Sequence, residues 1–481
     1  MPTLPAMSAV RHRTPALVVL LPALLTLVIT IAGLDRPALW RDEAVTAGMA
    51  RRPLGSFFAV LGQIDAVHGL YYLLMNGLAR LFGTGETVLR APSVLGAVLA
   101  AGATAAIGRR LGGARIGLYA GLLVAISPAL SRYAQEARQY TLTTGLAALA
   151  TLFLVRAVQE KPPFTRCSVY TAYALTVGLL GLLHLFALLL VPAHLITVLL
   201  HRDRRLLLRW AAAAGAALAP CLPLAAVALP QSGQVGWIEP PDAGAITDLL
   251  DNLAGTPGFF AMSVVLILLG RDAGLWRAAA PWMLLPPAVL LVVSLWSPLY
   301  VFRYLLFCLP AVALLTAAGM DRLRWSAGIP VLLAAALLTV PAHERIRRPS
   351  ERADDLRALA AIISAERRPG DAIVFHYTSS RRAMAAYPDA YRGLNDALAL
   401  RPDDGLDGVE APWEQFEARL AGVQRVLYVD HSRKPSSNTA AGADAVKEVL
   451  LPWNRAEWTR TGRWLFKGGS VHLYERRSPF T

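Results

Sequence analysis

Apolar positions in this chain fall into long Leu-, Ala- and Val-rich runs that succeed one another from the N-terminus to about Pro341; residues 342–481 then read like ordinary soluble sequence. A run of about 20 apolar residues crosses a bilayer as a helix. The first, Ala16–Leu34, follows Arg11, His12 and Arg13 and is longer than the apolar core of a signal peptide, so it is expected to be a transmembrane helix with the N-terminus cytoplasmic.

Basic clusters orient the rest, because Lys and Arg accumulate on the cytoplasmic side. The clusters are Arg109, Arg110 and Arg115; Arg156, Lys161 and Arg166; Arg202, Arg204, Arg205 and Arg209; Arg271 and Arg277; and Arg322 and Arg324. Placing all of them inside predicts spans at Ala16–Leu34, Val88–Ile107, Ile116–Leu130, Thr141–Leu154, Tyr170–Leu183 and Leu185–Leu200. The path continues through Trp210–Leu229, Phe259–Leu269, Ala279–Trp296, Tyr304–Ala318 and Ile329–Pro341. The expectation is an α-helical polytopic membrane protein of about 11 transmembrane helices, residues 1–341, with a small extracytoplasmic α/β domain over 342–481. Leu70–Phe82 is apolar enough to span, but a crossing there would turn every later basic cluster outward; it is expected to lie along the outer interface.

In the C-terminal segment, Asp354–Glu366 has helical periodicity, Pro369-Gly370-Asp371 makes a turn, and Ala372–Phe375 reads as a buried strand. Trp413–Leu420 and Arg425–Val429 repeat the helix-then-strand order, and Trp464–Phe466 with Val471–Tyr474 form a hairpin around Lys467-Gly468-Gly469.

Composition agrees with the membrane reading: 55% of residues are hydrophobic and 17% charged, with a mean hydropathy of +0.45, against about 25% charged in soluble proteins. The formal charge of +14 sits in short topology-setting clusters, with no basic stripe interleaved with aromatics, which argues against a nucleic-acid partner. Arginine far outnumbers lysine in an Ala-, Gly- and Leu-rich chain, the usage of a GC-rich bacterial genome, so a bacterial plasma membrane is expected. Cys167, Cys221 and Cys308 lie far apart and offer neither a disulfide framework nor a metal spacing.

The predicted outer loops collect the chemistry. Asp42 and Glu43 are adjacent carboxylates just beyond the first helix; a carboxylate near low-dielectric surroundings is suited to general-base work, though a hydrated loop acid has the same sequence. Arg132, Arg138 and Arg303 stand on the side that disfavours arginine, where a planar fork could hold a lipid phosphate or simply pair with Glu136. Tyr133, Tyr140 and Tyr304 could stack on a sugar or belong to an interfacial belt. His68 and His184 could position a donor phosphate or, with a carboxylate, bind a divalent metal, although no ligand spacing supports one; His194, inside a span, is weaker. Trp237, beside Pro240 and Pro241, could anchor a loop or form a sugar platform.

Taken together these motifs resemble the GT-C superfamily of membrane glycosyltransferases, specifically glycosyltransferase family 39-like proteins such as protein O-mannosyltransferases, the lipid A aminoarabinose transferase and rhizobial lipopolysaccharide sugar transferases. The resemblance rests on Leu39-Trp40-Arg41-Asp42-Glu43-Ala44, His68 to Leu73, Glu86 with Leu89-Arg90-Ala91-Pro92-Ser93, Ser127-Pro128 leading into Arg132 to Tyr140, and Phe302-Arg303-Tyr304. It covers roughly residues 15–340. His68-Gly69-Leu70-Tyr71-Tyr72 departs from the family's usual His-Pro-Pro-Leu-Tyr.

The resemblance implies a polyprenyl-phosphate sugar donor, a glycan, lipid or protein acceptor, and an inverting displacement. It implies Asp42 as base, Glu43 as its sugar-contacting neighbour, Glu136 as a second-loop acid, and Arg132 or Arg138, with Arg303 from the late loop, near the lipid phosphate. The reading gathers Asp42, Arg132 and Arg303 in one pocket at the outer leaflet. A lipid transporter or flippase would use similar arginines but is expected to show paired half-repeats and midplane polar residues; a non-catalytic envelope scaffold would need neither base nor phosphate site.

Overall fold

The computed structural model describes residues 8–159, 163–242, 244–254, 256–323, 325–402, 404–431 and 457–477. Lys161 and Arg324, two of the residues used to orient the spans, lie outside the described residues. The chain divides into two compact units: Met1–Leu34, Arg90–Leu229 and Ile238–Arg347 form one, and Asp35–Leu89, Pro230–Trp237 and Arg348–Thr481 form the other.

The first unit is helical. Among the described residues, Glu86–Gly112, Tyr140–Gln159, Ala273–Ser294, Phe302–Arg322 and Ser326–Ile346 are each long and apolar enough to cross a membrane. Two further apolar pairs are bent, Ala114–Ala125 with Pro128–Ala134 by 55° and Arg204–Leu218 with Cys221–Val235 by 46°. Shorter apolar helices cover Ala16–Ile31, Ser168–Leu183, Leu185–Leu200 and Pro257–Leu269. Each predicted apolar run is therefore helical, and the chain is a multi-span helical membrane protein. The bends are the difference from the predicted continuous spans. At the first, Ser127 adopts an extended backbone ahead of Pro128 and caps the new helix by accepting from Leu130 N at 3.4 Å. At the second, Pro220 interrupts the ladder.

Lipid-facing and packed surfaces separate on single helices. Ser8–Ile31 exposes Leu17, Leu20, Leu21, Leu24, Val28 and Ile31 while burying Val18, Thr26 and Thr30. Buried hydroxyls are satisfied locally: Thr26 donates to Pro22 O at 2.8 Å and Thr151 to Ala147 O at 2.8 Å. The helices Glu86–Gly112 and Tyr140–Gln159 cross in backbone contact, since a Cβ at Gly96 would stand 2.3 Å from Leu142 N and one at Gly145 2.6 Å from Gly96 O.

The second unit contains a five-stranded mixed sheet. Its strands are β1 (Ala372–Phe375), β2 (Asn395–Asp396), β5 (Arg425–His431), β6 (Trp458–Phe466) and β7 (Gly469–Arg476); β3 (Ala399–Arg401) and β4 (Val409–Glu410) form a separate antiparallel pair. The order is β2-β1-β5-β7-β6, with β1 parallel to β2 and β5, and β7 antiparallel to β5 and β6. Gly468, at φ +110°, makes the β6–β7 turn where the sequence places it. The expected first helix runs Leu356–Glu366, capped by Asp355 accepting from Ala358 N at 2.9 Å. Val374, Leu398, Phe416, Leu420 and Val426 form the core.

Asp35–Leu89 packs into this same unit as the helices Arg41–Arg51, Leu54–Gln63 and Gly69–Phe82. Gly69–Phe82 has 14 residues, short of what crossing a bilayer requires. Asn76 Nδ2 lies 2.8–3.3 Å from the carbonyls of Met49, Ala50 and Arg52 and so caps the end of Arg41–Arg51.

Candidate functional site

In the helical unit, the loop after the helix Pro128–Ala134 is wholly buried: Gln135, Glu136, Arg138 and Gln139 are at most 6% exposed. Backbone and side-chain bonds hold it. Ser93 Oγ lies 2.6 Å from Glu136 O and 2.9 Å from Arg138 O, and Thr141 Oγ1 donates to Ser93 O at 2.7 Å. Gln135 donates through Nε2 to the carbonyls of Thr30 and Ala32 at the C-terminal end of the first helix, where intrahelical donors run out.

This loop brings eight of the predicted site residues together. Arg303 Nε donates to Tyr140 Oη at 3.0 Å, and its guanidinium lies 5.6 Å from the Tyr304 ring. Arg138 sits 5.9 Å from the Tyr140 ring, and Arg132 sits 6.0 Å from that of Tyr133. Tyr140, His184 and Tyr304 meet edge to face or tilted, with centroids 5.3–6.4 Å apart, and Phe186 stacks on Tyr304 at 5.2 Å. Arg132 makes an ion pair with Glu136, the pairing that the sequence left open beside phosphate binding.

His184 occupies the turn between the helices Pro163–Leu183 and Leu190–Leu200. Burial lowers its pKa to about 4; a hydrogen bond to the Tyr304 backbone opposes the shift, and Arg138 and Arg303 reinforce it. At neutral pH the ring is therefore uncharged, and Nε2 is buried with no hydrogen-bond partner among the described residues. His194 is different. Its Nδ1 meets Tyr173 Oη and its Nε2 meets Thr151 Oγ1, both at 3.0 Å, and Trp210 Nε1 donates to Tyr173 Oη at 2.9 Å. That closed chain between helices gives His194 a structural role.

The second unit holds the other candidates. Asp42 and Glu43 open the helix Arg41–Arg51, where the helix dipole favours carboxylates. Asp42 is partly exposed; Glu43 is fully buried. Asp65 precedes the short turn Ala66–His68 with φ +65°, a conformation that a non-glycine residue rarely takes. It accepts from Tyr72 Oη at 2.7 Å and lies 4.0 Å from His68 Nε2. Trp237 is half exposed, in the segment Pro230–Trp237, which Gln231 ties to the first loop through Leu61 O and Ala66 N.

Sequence reasoning missed Arg382 in this unit. It forks onto Asp407, with Nη2–Oδ2 at 2.7 Å. Burial works to lower its pKa, but Asp407, then Asp65 and Asp42, outweigh burial and raise it. The doublet Arg381-Arg382 has no periodicity or spacing that would have singled it out. Among the described residues, no group of three His, Cys, Asp or Glu side chains is disposed to hold a metal ion.

Residues 70–228 match the dolichyl-phosphate-mannose-protein mannosyltransferase family. Among solved structures, the chain is similar to ArnT from Cupriavidus metallidurans in the apo state, with a TM-score of 0.67 at 15% identity over 95% of this chain and 97% of that one. The same protein bound to undecaprenyl phosphate gives 0.66 at the same identity and coverage. The Archaeoglobus fulgidus oligosaccharyltransferase in complex with Zn and sulfate gives 0.51 at 14% identity, over 86% of this chain and 68% of that one. No curated protein matches the chain by sequence. The fold is ArnT-like: a set of apolar spans with a small C-terminal mixed sheet.

Proposed function

We propose, from that shared fold, that this chain transfers a sugar from a polyprenyl-phosphate donor to an acceptor hydroxyl on the outer face of a bacterial plasma membrane. The observation that carries the reading is the arginine cluster on a buried aromatic floor, with Arg303 oriented by Tyr140. Two guanidinium groups, Arg138 and Arg303, beside Tyr140, Tyr304 and an uncharged His184 suit a phosphate at membrane depth. ArnT, of the same fold, has been crystallised with undecaprenyl phosphate.

Asp42 acts as general base. Its carboxylate takes the acceptor hydroxyl proton as the oxygen attacks the anomeric carbon; the bond from that carbon to the phosphate oxygen breaks, and the sugar inverts. The lipid phosphate leaves with its charge stabilised by Arg303 and Arg138. Asp42 is preferred to Glu43 because it is partly exposed whereas Glu43 is sealed from solvent. The cytoplasmic N-terminus, the outward-facing chemistry and the extracytoplasmic 342–481 segment belong to the same reading.

Purified protein incubated with radiolabelled polyprenyl-phosphate mannose and polyprenyl-phosphate arabinose tests the reading. Transfer of label, abolished in Asp42→Asn while polyprenyl phosphate still binds, is expected. Movement of intact donor across vesicles without sugar transfer would identify a flippase. An Asp42→Asn protein with undiminished turnover removes Asp42 as the base.

A further inference from the structure

The helix that carries Asp42 is held at its first residue by the C-terminal segment. Arg41 donates through Nε to Asp354 Oδ2 at 2.7 Å and through Nη2 to Asp354 Oδ1 at 2.9 Å, a two-pronged pair whose carboxylate is only 2% exposed. Asp354 is itself fixed. The backbone of its neighbour Asp355 donates to Lys467 O at 2.8 Å, and a Cβ at Gly468 would lie 3.0 Å from Asp354 Oδ1, so the β6–β7 turn closes over the carboxylate.

A second clamp holds the residues leading into the helix. Tyr387 Oη accepts from Leu39 N at 3.1 Å and donates to Glu86. Arg357 pairs with Glu86 and donates to the carbonyls of Asp35 and Arg36 at 2.7 and 3.2 Å. Further along the helix, Gly48 leaves room for the short helix Arg382–Ala386, where a Cβ would come 3.2 Å from Ala385 Cβ. Residues 35–48 are thus tied down by partners more than 300 positions later, and Glu86 braces two of those partners, Tyr387 and Arg357.

We infer that Asp354 is a positioning residue for Asp42, acting through Arg41, and that the C-terminal α/β segment serves the reaction by fixing the base-bearing helix. The inference rests on the reading of Asp42 as the base. A planar guanidinium held at two points fixes position and rotation together, which one contact cannot do. The adjacent residue in the same helical turn inherits that orientation. Transfer chemistry is sensitive to this, because displacing a reacting group by about 1 Å costs about 100-fold in rate.

The full-length protein in detergent carries the test, with Asp354→Asn as the main variant because it keeps the side-chain volume. Turnover is read with polyprenyl-phosphate mannose and polyprenyl-phosphate arabinose, and amide hydrogen exchange is followed over residues 41–46. D354N is expected to lower kcat by about 100-fold while the donor KM stays within about twofold, and to speed exchange over 41–46. A D354N protein with kcat within threefold of wild type, or with unchanged exchange over this stretch, overturns the inference. Should D354N fail to fold, Tyr387→Phe, which deletes one hydroxyl, is expected to lower kcat about fivefold with unchanged KM; no change overturns the inference equally. The two failures are separable. An active Asp42→Asn defeats the base assignment, whereas a dead Asp42→Asn beside a fully active D354N defeats only the positioning role.

Discussion

Arg303 and Tyr140 are joined by a 3.0 Å hydrogen bond from guanidinium Nε to phenol oxygen, across 163 residues of sequence. Fixing Nε sets the plane of the Arg303 guanidinium against the Tyr140 and Tyr304 rings, whereas Arg132 is committed to an ion pair with Glu136. The two arginines should therefore contribute unequally to holding an anionic lipid. Arg303→Gln is expected to raise the Kd for polyprenyl phosphate about 10- to 100-fold, or about 1.4 kcal/mol per factor of ten. Arg132→Gln should raise it less than about threefold. Titration of detergent-purified protein with polyprenyl phosphate checks the order, and the reverse order would show that Glu136 does not mask Arg132.

Glu43 and Asp42 are neighbours with different fates. Glu43 is completely enclosed in the first turn of its helix, and removing a buried carboxylate strands the groups arranged around it. Glu43→Ala should cost about 2–4 kcal/mol of stability and lower the thermal midpoint. Asp42→Asn should leave the midpoint nearly unchanged. Thermal unfolding of the two variants side by side decides between a structural and a catalytic Glu43.

His184 makes acid stability predictable. Its pKa is about 4 in the folded protein against 6.5 for the free side chain, so between those values the unfolded chain binds the extra proton and the folded chain does not. Stability should therefore fall as pH drops from about 6.5 toward about 4, by about 3 kcal/mol in total, and should level off above about 6.5. His184→Gln should flatten that part of the pH profile. Midpoints recorded from pH 4 to 8 with unchanged slope in the variant would assign the acid sensitivity elsewhere.

Gly96 sits where two spans touch backbone to backbone, and a side chain there has no room to turn. Gly96→Val should force the helices Glu86–Gly112 and Tyr140–Gln159 apart and disturb Ser93, which holds the loop carrying Glu136 and Arg138. A destabilisation of about 2–3 kcal/mol is expected, with activity falling in parallel. A fully stable, fully active Gly96→Val would mean that the close crossing is not needed.

Most of the fold could be read from the order of residues, because apolar runs of bilayer length and basic clusters are local signals. Every predicted span is helical, two of them broken by a bend, and Ala372–Phe375, Arg425–Val429 and the Lys467–Gly469 turn fall where expected. The bend at Ser127-Pro128 was visible as a dipeptide but was outweighed by the hydrophobicity on both sides. The arginine and tyrosine cluster was legible because Arg132, Arg138 and Arg303 fall in predicted loops where arginine is disfavoured. Arg41–Asp354, Tyr387–Glu86 and Arg382–Asp407 were not: their partners lie in segments with no shared pattern, and a single charged residue in a polar stretch carries no sign of what it will meet.

The first helix ends in carbonyls whose donors are made long after it. Gln135 reaches Thr30 and Ala32, Arg347 reaches Ala32 at 2.8 Å, and Arg90 reaches Leu34 at 2.7 Å. During synthesis this helix must enter the bilayer with that end solvated by interfacial water, and it acquires its protein partners one at a time as later spans arrive. The set of partners for this helix end is thus complete only when residue 347 has left the ribosome. Nascent chains truncated before that point should hold a loosely seated first helix, however well it inserts.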